Sequence, residues 1–141
     1  MQIDSETALR AALAAPSEDE GLEFKLAANS FNKDKLCEYV SAIANSGDGS
    51  LILGVSDAAP RQLMGTQAFG DLAGLRDHVY TAMRWKIETR EFTPDGKRVL
   101  VISTNAAPRG RPLGFGGKFF QRTGCSLRAM GADELRVALT G

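Results

Sequence analysis

The run SLILGVSD at residues 50–57 constrains this chain more than any other stretch. Successive strand residues point to opposite faces. Leu51, Ile52, Leu53 and Val55 are apolar whichever way they point, so this reads as a central strand with cover on both sides. Just ahead of it, KDKLCEYVSAIAN carries Leu36, Val40 and Ile43 on one side, the pattern of an amphipathic helix. Between the two lies Asn45-Ser46-Gly47-Asp48-Gly49, a tight turn in which the glycines supply positive φ and little bulk.

The other segments fit around this unit. SETALRAALAA is a short helix, capped by Asp4 or Ser5 and stopped by Pro16. Leu22–Lys25 alternates as a strand, with Leu22 and Phe24 on one face and Glu23 and Lys25 on a wet one. The stretch FGDLAGLRDHVYTAMRW is a third helix with Leu72, Leu75, Val79 and Met83 inward. KIETREF and KRVLVISTN flank Pro94-Asp95-Gly96 as a hairpin. AAPRGRPLGFGG reads as a long loop or mobile arm. KFFQRTG is a short strand, and MGADELRVAL a closing helix with Leu135 and Leu139 inward. The expectation is a single α+β domain over residues 1–141, with its core at about 17–136 and an N-terminal helix at about 5–15. It has a small mixed β-sheet of four to five strands and helices mainly on one face.

Composition narrows the function. The 141 residues suit one domain, and no apolar run is long enough for a membrane helix. The N-terminus lacks the basic start of a signal peptide, and Cys37 and Cys125 form no CxxC pair, so a cytoplasmic protein is expected. The zero net charge hides a split. Residues 1–84 hold 7 Lys and Arg against 12 Asp and Glu, whereas residues 85–141 hold 10 against 5. Such an imbalance can place a positive face beside an acidic pocket. Cys37 reads as core. Cys125 neighbours Arg122 and Arg128 but has no nearby base. His78 stands alone, and no glycine-rich phosphate loop ending in lysine is present.

Three blocks in order resemble one family: LEFK at 22–25, AIANSGDGSLILGVSD at 42–57 and KFFQRTGCSLRAMGADEL at 118–135. Together they are similar to the AlbA_2 domain, the Schlafen-type nucleic-acid-binding domain of many bacterial and archaeal proteins and of animal Schlafens. The chain departs from the family pattern at Asp48, where a glycine is usual, and at Ser56-Asp57, where two acids are usual. In RNA-cleaving animal Schlafens three carboxylates form a site, and the resemblance carries it onto Glu18, Glu23 and Asp57. Clustered carboxylates of this kind would hold Mg²⁺ or Mn²⁺. The alternative for Glu18 is a solvated loop, and for Glu23 a surface residue paired with Lys25.

The leading reading is a nucleic-acid-binding domain contacting the phosphate backbone of DNA or RNA. Its candidate cations are Lys25, Arg109, Arg111, Lys118, Arg122 and Arg128, several of them on or beside the Gly/Arg-rich arm. Asn45, Gly47 and Gly49 serve the turn. Of Phe119 and Phe120 at most one can be exposed for base stacking. Two other readings stay open: a metal-dependent endoribonuclease using Glu18, Glu23 and Asp57, and a protein-interaction or assembly subunit. The paired lobes of Schlafen cores imply a homodimer for a single lobe.

Overall fold

A computed structural model describes residues 3–14, 21–56, 58, 60–124 and 126–141. Four strands form a mixed sheet in the order β1-β2-β4-β3: β1 Leu22–Lys25, β2 Gly49–Leu53, β3 Glu88–Phe92 and β4 Val99–Thr104. β1 runs parallel to β2, and the other neighbours are antiparallel. As its apolar run requires, β2 lies between two strands, and all five of its residues are buried. The β3–β4 hairpin turns through Pro94–Gly96, with Asp95 in the left-handed region at φ 54°.

Two cores fill the two faces. On one, helix α1 (Glu6–Leu13) lays Leu9, Ala12 and Leu13 over Leu22, Phe24, Ile52, Val99 and Val101. Its start is capped by Ser5 Oγ, which accepts from Ala8 N at 3.1 Å. On the other, α2 (Lys33–Ser46) and α3 (Leu72–Met83) cover Leu51, Leu53, Leu100 and Ile102. Asn32 and Asp71 cap these helices with their side-chain oxygens.

A second sheet departs from the expected architecture. β5 (Gly114–Phe115), β6 (Lys118–Thr123) and β7 (Ser126–Ala129) form an antiparallel unit of their own. The strand KFFQRT therefore lies outside the main sheet. This unit packs on the far side of α2, with Leu113, Phe115 and Leu127 joining the same core. The helix is thus sandwiched between two sheets, which is why its buried residues run all round, from Leu36 to Ala44, and not along one stripe.

Two further expectations change. The 106–117 segment is anchored: Ala107 N donates to Ala44 O at 2.8 Å, and Leu113 is buried. The closing helix α4 (Ala132–Thr140) buries no residue, and Leu139 is exposed. At the α2–β2 turn, Gly47 takes φ 144° and its N–H reaches Ile43 O. Gly49 is needed for space, since a Cβ there would stand 2.7 Å from Gly21 O.

Cys37 is fully buried on α2, as expected. Burial first, then Asp34 and Glu38, push its thiol up from 9.0 to about 11. The stability this represents is fully present below the unfolded value near 9 and is lost as pH rises from there through about 11. Iodoacetamide at pH 8, read by peptide mass spectrometry, is expected to leave Cys37 unmodified in the native protein and to alkylate it in denaturant. Native alkylation at the denatured rate would contradict a buried α2.

Candidate nucleic-acid interface

Strand alternation puts Glu23 on the same face as Leu51, its partner in β2. The sequence makes that face of β1 wet; the fold covers it with β6, and Glu23 is only 1 % exposed. From β6, Arg122 reaches it with Nη2 at 3.5 Å from Oε2, and the same nitrogen donates to Leu22 O at 2.9 Å. The Arg122 side chain is itself only 4 % exposed. Glu23 Oε1 has no hydrogen-bond partner among the described residues. Glu23 thus pairs with Arg122 and not with Lys25, whose ammonium lies 5.5 Å from the centre of the Tyr39 ring.

This arrangement tests the metal site that the resemblance implies. Hard divalent cations take oxygen ligands and usually keep several waters. Glu23 is enclosed and paired with a guanidinium. No group of three His, Cys, Asp or Glu side chains converges among the described residues. Glu18 and Asp57 lie outside the described residues, as does Cys125. Of the three carboxylates the resemblance implies, only Glu23 lies among the described residues, where it pairs with Arg122.

The α2–β2 turn does more than turn. Asn45 lies in the last turns of α2 and uses its whole amide: Nδ2 donates to Leu113 O and Phe120 O, both at 2.9 Å, and Oδ1 accepts from Leu113 N at 2.7 Å. One turn earlier, Ser41 Oγ donates to Leu113 O at 2.8 Å and accepts from Phe120 N at 3.1 Å. These two residues fasten the second sheet to the helix. Their i,i+4 spacing, which puts two polar side chains on one face of the helix, is the signal that could have revealed it. Asp48 Oδ1 accepts from Ala106 N at 2.7 Å, so this departure from the family pattern ties down the start of the arm.

Arg98 is another residue whose role the sequence did not disclose. Its guanidinium donates to Ala68 O at 2.6 Å, Thr66 O at 3.2 Å and Phe69 O at 2.9 Å, and it pairs with Glu91. It secures the loop ahead of α3, where Phe69 sits at φ 55°.

The remaining candidate cations separate by exposure. Arg109 donates to Gly141 O. Arg111 in the anchored loop, Lys118 at the start of β6 and Arg128 on β7 are all exposed. None of these three makes an ion pair among the described residues, whereas Arg98, Arg122 and Arg136 in the same half of the chain do. Arg128 stands opposite Gln121, which donates to Glu134. The Gly131 N–H, the Gln121 amide and the Arg128 charge hold the Glu134 carboxyl below its ordinary range. Of the phenylalanine pair, Phe120 is buried and Phe119 half-buried. His78 is half-buried on α3.

A family model described as Schlafen, AlbA_2 matches residues 18–131. Two solved structures share the fold. The DIP2311 protein of Corynebacterium diphtheriae is 24 % identical at a TM-score of 0.66, over 88 % of this chain and 29 % of that one. The second is the N-terminal domain of a Nitrosomonas europaea protein described as related to the ATP-dependent DNA helicase RecG. It is 22 % identical at a TM-score of 0.55, over 88 % of this chain and 92 % of that one. The chain thus spans under a third of the first of these proteins. A search of curated proteins found no match. Among the described residues, no helix is long and apolar enough to cross a membrane.

Proposed function

The chain belongs to the Schlafen AlbA_2 family, and from that premise we propose that it is a nucleic-acid-binding domain. It meets the phosphate backbone through Arg111, Lys118 and Arg128. The observation that carries this reading is the sorting of cations in the basic half. The three are exposed on the second sheet and the loop leading into it and form no ion pairs among the described residues, while Arg122 is committed inside. Exposed guanidinium and ammonium groups bind phosphates by releasing condensed counterions, without reading base sequence. The helicase-related description of one structural neighbour agrees with a nucleic-acid role.

The metal-dependent cleavage reading rests on the family resemblance; of its three carboxylates, Glu23 is paired with Arg122. Binding is expected to weaken steeply with salt. Three phosphate contacts correspond to a slope of log K against log salt of about −2 to −3. Charge reversal at Arg111, Lys118 and Arg128 together should flatten that slope by a similar amount, read by fluorescence anisotropy with a labelled oligonucleotide. A wild-type affinity that does not change with salt would remove the backbone-contact reading.

A further inference from the structure

A second basic surface lies away from the arm, along the outer side of α3. The C-terminal half of that helix and the start of β3 enclose a cleft of about 350 Å³, lined by Arg76, Asp77, Tyr80, Lys86 and Ile87. Arg76, Tyr80 and Arg84 follow one another at four-residue spacing, so they form one stripe. Tyr80 is 43 % exposed, one of few large apolar side chains presented to solvent. The Arg84 guanidinium lies 5.9 Å from the centre of its ring, and Arg84 holds the left-handed cap of α3 at φ 53°. Arg76 donates to Thr89 Oγ1 on β3, which fixes its head at the mouth of the cleft. Ile87 is buried and forms the floor.

Charge and shape point to one class of occupant. Two cations, Arg76 and Lys86, line the cleft with one carboxylate, Asp77, and Arg84 lies beside the Tyr80 ring; none of these three cations makes an ion pair among the described residues. A tyrosine face flanked by cations suits a base stacked on the ring with its phosphates on either side. Bases inside a duplex have both faces occupied by their neighbours; a single strand offers a free one. We infer that the Arg76–Tyr80–Lys86 cleft binds single-stranded nucleic acid, with Tyr80 as the stacking platform.

This inference rests on the nucleic-acid-binding reading, and its test separates the two. The full chain is titrated at low salt with fluorescein-labelled dT12 and with a duplex of equal length. Four variants are compared: Tyr80→Ala, Tyr80→Phe, Arg76→Glu/Lys86→Glu and Arg111→Glu/Lys118→Glu/Arg128→Glu. The expected result is tighter binding of dT12 than of duplex by the wild type, about tenfold loss of dT12 affinity in Tyr80→Ala, near-wild-type affinity in Tyr80→Phe, and a comparable loss in the double charge reversal. Circular dichroism melts verify folding. Should Tyr80→Ala fail to fold, the surface charge pair carries the test. If only the Arg111/Lys118/Arg128 variant loses binding, the cleft is not the site and the broader reading stands. If the wild type binds neither oligonucleotide, both fall. Displacement of dT12 by a polyglutamate peptide of equal charge at equal concentration would identify a general polyanion surface and overturn the inference.

Discussion

Replacing Glu23 with alanine is expected to lower the unfolding free energy by about 1.5–3 kcal/mol, because it removes one charge-assisted contact of an enclosed guanidinium. Arg122 and Glu23 are 4 % and 1 % exposed, so water cannot take over the lost contact. For a domain near this size each kcal/mol shifts the melting temperature by about 2–4 °C. The variant should therefore melt about 3–12 °C below the wild type. The pair also joins β1 of the main sheet to β6 of the second, through Leu22 O as well as the carboxylate. A Glu23→Ala melt within a degree or two of the wild type would show that the pair is not structural. It would also reopen Glu23 as a ligand or catalytic group. Loss of any activity in this variant therefore needs a melting curve beside it.

Asn45→Ala is expected to free the second sheet from α2. The change removes the three hydrogen bonds to Leu113 and Phe120, together with a longer one to Ser41 Oγ, and leaves Leu113 N and Phe120 O without that partner. At about 1–3 kcal/mol for each unsatisfied buried group, the cost is about 2–4 kcal/mol overall, with Ser41 retaining its own two bonds. The loss should be local. Amide hydrogen exchange should accelerate at residues 113–123 far more than in β2 and β4, because the main sheet keeps its ladder and core. Equal exchange at Leu113 in both proteins would refute the fastening role. If Arg111, Lys118 and Arg128 form the phosphate-binding surface, the same variant should also weaken oligonucleotide binding without touching a cation.

Much of the main sheet could be read from local pattern. The apolar run of β2 demands cover on both faces, and Pro94-Asp95-Gly96 between two β-rich stretches makes the hairpin. Leu75, Val79 and Met83 repeat at helical spacing and are buried as that spacing implies. These features depend on neighbours a few residues away. The candidate site was legible only in part. Arg111, Lys118 and Arg128 emerge as exposed cations, but Arg122 belongs to the same charge pattern and is enclosed. Tyr80 was overlooked, although the polar-aromatic stripe Arg76, Tyr80, Arg84 could be read from the helix period.

What the amino-acid order determined alone was the set of elements and the face each presents: helices with apolar stripes, strands with two sides, and a turn of small residues. It also placed the chain among its relatives through three short blocks. What only the tertiary structure decided was which faces stay wet. Alternation states that Glu23 and Phe24 point in opposite directions; it cannot state that a strand arriving from 99 residues further on will close over Glu23 and supply its counter-charge. Burial of a charge is a property of two surfaces brought together, and neither segment carries it by itself.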